Sequence, residues 1–349
     1  MKKITMVSFA LAMMLGGLLC LAGCGDSSKE SGNKASGGTA SSDKVYTVKY
    51  SHSQPEDHFT NLALLEMKKY IEDKSGGRLK LELFPNGQLG GDRQLIESVQ
   101  MGTLEMCNAV TASFSSSSKA AMLFDLPFLF TSDEDAYKIL DGEIGKAIID
   151  QINSEATGFR VMTFGVSGLR HITNSSRPIR TPADLQGIKL RCMENPVHLD
   201  MFRALGANPT PMSIGEVYTA LQQGTVDGQE NPITNIYGYK FYEVQKYLSL
   251  TGHIYMPQLD IISTKFWDSL PDDLKKIMEE GEVIRRDAQR KFAKDYDVMA
   301  LEAIKKTTAI NDLTAEEVKQ FRDICAPVYD KYKNNIGAEL VDKVLKAIQ

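Results

Sequence analysis

At 349 residues the chain is too long for one core of ordinary size and suits two domains. A hydrophobic fraction of 42% and a charged fraction of 24% exclude wholesale disorder and a multi-span membrane protein. The net charge of −5 comes without a basic block, which excludes nucleic acid as a partner on electrostatic grounds, and an anionic small molecule would need a local basic pocket.

Lys2 and Lys3 precede an apolar run from Ile4 to Leu19 that ends in small residues around a cysteine, the anatomy of an export signal. The run is short for a membrane span and lacks a positive stop on its far side. Leu21-Ala22-Gly23-Cys24 resembles the lipobox of bacterial lipoproteins, which implies cleavage after residue 23 and a lipid on Cys24. Loss of residues 1–23 takes away Lys2 and Lys3 and no acidic residue, so the net charge falls from −5 to −7. Residues 24–43 are almost all small and polar, a composition that cannot order itself, and are expected to be a flexible tether. Anchor and tether together place the expected body outside the cytoplasm, on the periplasmic face or the cell surface. The remaining cysteines, Cys107, Cys192 and Cys325, form no CxxC pair and read as core thiols, with neither a disulfide framework nor a metal site.

The body opens with alternating Val45 to Tyr50, a strand, followed by a helix over about 57–74 that Gly76-Gly77 closes. Arg78 to Leu83 repeats the period of two and ends in the turn Pro85-Asn86-Gly87. The alternation continues with helix 95–101, strand 104–110, helix 136–152 and strand 159–164, which predicts an α/β lobe on a largely parallel sheet. A second series follows, with short strands at 171–174, 188–192 and 208–212. Thr181-Pro182-Ala183-Asp184 and the capping box Ser213-Ile214-Gly215-Glu216 mark helix starts between them. The charged, periodic stretch from Pro271 to Lys306 predicts one helix long enough to span two lobes. No internal repeat is present.

Ligands of open α/β sheets bind at the carboxyl ends of strands. The polar loop Ser51 to His58 follows the first strand and offers His52 and Ser53 as hydrogen-bonding groups, or serves only as a cap. Arg170 and Arg191 sit in or beside apolar strand-like runs, where an unpaired charge costs several kcal/mol, on the order of a buried salt bridge broken open. A structural ion pair and an anionic ligand both satisfy that demand. The only carboxylate near Arg191 in sequence is Glu194, and a guanidinium fork suits a carboxylate bidentately.

The series Gly206-Ala207-Asn208-Pro209-Thr210-Pro211-Met212, Glu216 to Gln222, Val226-Asp227-Gly228-Gln229-Glu230-Asn231-Pro232 and Lys240 to Tyr247 resembles the solute-binding proteins of TRAP transporters, of the DctP type. Gln88 to Arg93 and Leu126 to Phe130 extend the resemblance over most of the body, and a colinear series of this length is far more specific than one motif. The resemblance implies a two-lobed, periplasmic-binding-protein-like α/β fold with a ligand cleft between the lobes and a long helix spanning both. It implies capture of a small organic acid and delivery to the membrane subunits of a TRAP transporter, without a cofactor, by a monomer. It also implies that Arg191 anchors a carboxylate, Arg170 is a second cleft arginine and Asn231 donates to the ligand. Lobe one is expected over 44–167 and 257–294 and lobe two over 168–256 and 295–349, with no single sheet running through both.

In sialic-acid-binding members of the resembled family an asparagine matches Glu194 and a glutamate matches Val110, so sialate is disfavoured here. Glu194 beside Arg191 would repel a second acid and accept hydroxyls, which favours a polyhydroxy monoacid such as a uronate or aldonate over a C4-dicarboxylate or a small sulfonate. An enzyme is the competing class: Glu194 and His198, four apart on an expected helix, match metal ligands or an acid–base pair but lack further clustered ligands. Ser115 to Ser118 lacks the glycine-flanked elbow of a hydrolase. Service to a chemoreceptor would use the same cleft.

Overall fold

The computed structural model describes residues 44–348. The export signal, the tether and Cys24 lie outside the described residues. The chain begins β1 (Tyr46–Ser51), α1 (Phe59–Lys74), β2 (Leu79–Phe84), α2 (Asp92–Gln100), β3 (Met106–Val110), close to the sequence expectation. The helix expected over 136–152 is two helices, α3 (Asp133–Leu140) and α4 (Glu143–Glu155). The break follows from Gly145, which lies so close to the Leu140 carbonyl that a Cβ would stand 2.0 Å from it.

The strands expected at 159–164 and 171–174 are one, β4 (Phe159–Asn174), a 16-residue strand. After it come β5 (Lys189–Cys192), α5 (Pro196–Ala204), β6 (Asn208–Pro211) and α6 (Ile214–Gln222). Thr181-Pro182 opens only a single 3-10 turn, although its capping box forms, with the Thr181 N–H donating to Asp184 Oδ2 at 2.8 Å. The box expected at Ser213 does not form, since the Ser213 side chain makes no cap bond. Then follow β7 (Gly228–Pro232), α7 (Ile233–Gly238), β8 (Tyr247–Ser263), α8 (Thr264–Ser269), α9 (Asp272–Ile304), β9 (Ala309–Asp312), α10 (Ala315–Ile336) and α11 (Ala338–Ala347). No helix among the described residues is long and apolar enough to cross a membrane.

The strands form one hydrogen-bonded path in the order β2-β1-β3-β8-β4-β7-β5-β6, with β9 on β8. Pairing is parallel within β2-β1-β3 and within β7-β5-β6, but antiparallel where β8 and β4 enter, so the sheet is mixed rather than largely parallel. The expectation that no sheet runs through both halves is corrected. β4 and β8 are long enough to serve both ends: β3 pairs with Gln258–Ile262 of β8, whereas β7 pairs with Arg170–Asn174 of β4. Between those ends the β4–β8 register shifts, with Val166 opposite Pro257 and Gly168 opposite Met256, so that Ser167 is the extra residue of a bulge.

Alternation along the strands divides the apolar residues between faces. Met106 and Ile262 enter a core with Val48, Leu64 and Leu274 beneath α1 and the start of α9. Their neighbours Cys107 and Ile261 enter the largest core on the other face, which α4, α5, α10 and α11 cover. A third core gathers Val217, Ile236, Leu248 and Ala300 under α6, α7 and the end of α9. Helix α9, 33 residues long, therefore packs on α1 at one end of the sheet and on α7 at the other.

Candidate functional site

Arg191 is the third residue of β5 and is 2% exposed. Its Nε and Nη2 both donate to the Met212 carbonyl, at 3.0 and 2.6 Å, just past the end of β6. Nη1 is buried without a partner, and no carboxylate among the described residues pairs with the guanidinium. Burial pulls its pKa down to about 10 despite the attraction of Glu230. This is a charge held in position by a backbone carbonyl, with one donor left over, on a residue that lines a cleft.

That cleft has two adjoining parts, an outer cavity of about 440 Å³ and an inner one of about 30 Å³, which share Arg191, Asp92, Met193 and Ile214 in their walls. The larger volume falls in the range of small-molecule sites. Asp92 begins α2; its Oδ2 accepts weakly from the Val110 N–H and the Ser113 hydroxyl, at 3.4 and 3.5 Å, and its buried Oδ1 has no partner. Burial raises its pKa, opposed by the nearby Ser53 side chain, the bonds from Val110 and Ser113 and the charge of Arg191. The cleft is bridged twice: the Tyr239 hydroxyl donates to the Ser53 carbonyl at 2.8 Å, and Arg93 Nη2 donates to the Glu194 carbonyl at 3.2 Å.

Arg170 reaches the inner cavity but is already paired. Its guanidinium holds both carboxylate oxygens of Glu230, Nε on Oε2 and Nη2 on Oε1 at 2.9 Å, and donates to the Glu230 carbonyl at 2.6 Å. His253 Nε2 lies 3.3 Å from the same carboxylate. Burial opposes ionisation of Glu230, yet Arg170 and His253 hold its pKa well below the usual carboxylate range. Arg191 therefore carries a buried charge without a carboxylate partner among the described residues, and Arg170 does not. The partner, Glu230, stands one residue before Asn231 on β7, and its identity was not legible without the β4–β7 pairing.

Asn231 borders the inner cavity, its amide donating to Gln229 Oε1 at 2.5 Å and its oxygen accepting from Asn235 at 3.3 Å. Ser53 borders it too. His52 borders neither part: it is fully buried, with Nε2 3.1 Å from Asn61 Oδ1, and burial lowers its pKa to about 4. Glu194 lies exposed on the wall of the outer cavity, where Arg93 and Glu216 also line it. Glu194 and His198 are not brought together. Glu194 precedes the N-cap Asn195, whereas His198 is buried with Nε2 3.1 Å from Asp125. Among the described residues no group of three or more His, Cys, Asp or Glu is arranged to hold a metal. Asp92 was missed because its motif was read as a family marker, though an acid at the first helical position after two glycines is a recognisable signal.

The profile of the family described as bacterial extracellular solute-binding protein, family 7 (DctP) matches residues 50–335. The chain belongs to this family. It is 36% identical to the sugar acid binding protein DctPAm from Advenella mimigardefordensis, solved in complex with galactonate, with a TM-score of 0.84 over 87% of this chain and 98% of that one. A TRAP periplasmic solute binding protein from Polaromonas sp. JS666, bound to D-erythronate, is 37% identical with a TM-score of 0.82 and covers 86% of this chain and 98% of its own. The C4-dicarboxylate-binding periplasmic protein DctP of Rhodobacter capsulatus is 33% identical over 303 residues, 86% of this chain and 90% of that protein. The fold is accordingly the two-lobed α/β fold of TRAP solute-binding proteins, and the protein is an extracytoplasmic solute-binding protein of the organic-acid class.

Proposed function

We propose that the protein captures a sugar acid, a polyhydroxy monoacid such as a uronate or aldonate, and delivers it to the membrane subunits of a TRAP transporter while held to the membrane by a lipid on Cys24. The observation that carries the ligand class is the pair of unmet groups in one cleft: Arg191 Nη1 and Asp92 Oδ1, both buried and both without partners. A ligand carboxylate satisfies the first and a ligand hydroxyl the second. Arg191 is the anchor, Asn231 and Ser53 are neighbouring polar contacts, and Glu194 is a second acceptor at the rim. Arg170 acts through the wall, since Glu230 already neutralises it. Two similar proteins carry galactonate and D-erythronate, which are polyhydroxy monoacids.

A C4-dicarboxylate is the second reading, favoured by the similarity to the Rhodobacter capsulatus protein. In the inner cavity its second carboxylate would meet Asp92 and find Arg170 already paired, although Arg93 on the outer wall has no carboxylate partner among the described residues. Two like charges 4 Å apart repel by about 4 kcal/mol at the effective dielectric of a protein surface. Calorimetry with galactonate, D-glucuronate, D-erythronate, succinate and isethionate decides: sugar-acid binding with weak or absent succinate binding is expected, and tight succinate binding with no sugar-acid response overturns the proposal. Replacing Cys24 is expected to release the protein from membranes with its affinity intact. Retention in the membrane fraction would remove the anchor.

A further inference from the structure

Long central strands rarely carry proline, because proline has no N–H for the ladder. β8 carries one at Pro257, opposite Val166, where the β4–β8 register shifts and Gly168 takes φ +108. At this point the backbone of β4 is bonded from outside the sheet. Gln289 of α9, fully buried, accepts from the Val166 N–H through Oε1 at 3.0 Å and donates through Nε2 toward the Val166 carbonyl at 3.4 Å. The same amide donates to Gln258 Oε1 at 2.8 Å and to Thr60 Oγ1 at 3.1 Å, so one side chain joins α9, β4, β8 and α1. Its orientation is fixed by Arg285 Nη1, which donates to Oε1 at 2.9 Å while Asp260 and Glu282 hold the guanidinium. Gly165 permits the approach: a Cβ there would stand 2.9 Å from Gln289 Oε1.

We propose that Gln289 is the positioning residue of lobe closure, a clasp that holds the β4 crossing on α9 through the backbone of Val166 beside the register shift at Pro257, so that the two ends of the sheet turn about Val166–Gly168 and Met256–Pro257 along one path. This rests on the two-lobed binding reading but not on which acid binds. Without the clasp, both backbone groups of Val166 lose their partner and the crossing loosens, while the ligand-contacting residues stay untouched. Closure then starts from a broader open ensemble and costs more ordering.

The test uses Gln289→Met, which keeps length and bulk, beside a core control of similar thermal loss far from the crossing, Ile152→Val. In ligand-free protein, hydrogen exchange of the Val166–Leu169 amides is expected to speed up about tenfold or more in Gln289→Met, as loss of local hydrogen bonds worth about 1.4 kcal/mol implies. Spin labels at Lys69→Cys and Ala204→Cys, both exposed in the native chain, are expected to give a broadened distance distribution in the same variant. Neither change is expected in Ile152→Val. Unchanged exchange and distances in Gln289→Met, or equal changes in the control, overturn the clasp. Should Gln289→Met fail to fold, Gln289→Glu keeps acceptance from the Val166 N–H but loses every donation; wild-type exchange and distances there would equally overturn it. Because these readings need no ligand, they stand even if every sugar acid fails to bind; a galactonate-saturated arm adds faster dissociation as the expected result and wild-type dissociation as the contrary one.

Discussion

Two arginines, Arg170 on β4 and Arg191 on β5, are buried to 1% and 2% and lie on the same half of the sheet, yet they stand in opposite electrostatic states. Arg170 is matched by the Glu230 carboxylate, which His253 also contacts, and by the Glu230 backbone carbonyl. Arg191 is matched only by the Met212 carbonyl and keeps a free donor. Burial alone does not mark a binding residue. A buried charge whose counter-ion is absent from the protein does, because the charge must then be compensated by what the cleft admits.

The contrast breaks first on stability. Glu230→Ala strands the Arg170 charge in the interior and is expected to cost about 3–5 kcal/mol in urea unfolding, whereas the double change Arg170→Met with Glu230→Leu restores most of it. The sign of the pH effect follows from the depressed Glu230 pKa. Its stabilisation is present above its ordinary value of 4.5 and is lost as pH falls toward the folded value, so the wild type should lose stability on acidification more steeply than the double variant. Equal acid slopes in the two would contradict the pairing.

Arg191 should behave in reverse. Arg191→Ala is expected to leave the unfolding midpoint near that of the wild type while weakening sugar-acid binding by about 2–5 kcal/mol. Arg191→Lys keeps the charge but loses the planar fork and should also bind poorly. An Arg191→Ala protein with intact affinity by calorimetry would remove the anchor. One step smaller, Asp92→Asn preserves shape but replaces a charged acceptor with an amide. A loss of about 1.5–3 kcal/mol toward sugar acids is expected, as for a hydrogen bond to a charged group, together with improved binding of succinate, whose second carboxylate no longer meets a like charge. No gain for succinate would show that Asp92 does not select against diacids.

How far the sequence foretold this depends on the range of the interaction. Most local signals held, since the Gly76-Gly77 stop, the alternation of Leu79–Phe84 and the long α9 are set by residues within a few positions of each other, whereas the helix start at Thr181 gave only a 3-10 turn and the Ser213 box did not form. The crossing strand β8 was invisible because it is buried on both faces, so apolar residues run through it without a period of two, and Pro257 argued against a strand at all. Pairings across the sheet decided the rest. The Arg170–Glu230 pair spans 60 residues and exists only because β4 and β7 align Ile172 with Glu230, and Asp92 enters the cleft only because α2 begins beside the end of β3. His52, next to Ser53 in sequence, shows the converse: adjacent residues in one loop went to the core and to the cleft wall.

The smallest expected effect separates the two acidic candidates of the cleft. Both Glu194 and Asp92 can accept from a ligand hydroxyl, and sequence spacing from Arg191 pointed to Glu194. Their surroundings differ: Glu194 is exposed on the outer cavity, so its carboxylate is hydrated before a ligand arrives, while Asp92 Oδ1 is shut off from solvent and unpartnered. Replacing a water by a ligand hydroxyl gains little at an exposed acceptor, and exposed charged contacts are typically worth about 0–1 kcal/mol. The penalty for leaving a buried acceptor unmet is larger, so the ligand gains more by meeting Asp92. Glu194→Ala is therefore expected to weaken sugar-acid binding by no more than about 1 kcal/mol and to leave the preference over succinate in place, with the small loss shrinking as salt is raised. A Glu194→Ala protein that loses binding as deeply as Asp92→Asn, measured by calorimetry in the same buffer, would move selection from the buried wall of the cleft to its rim.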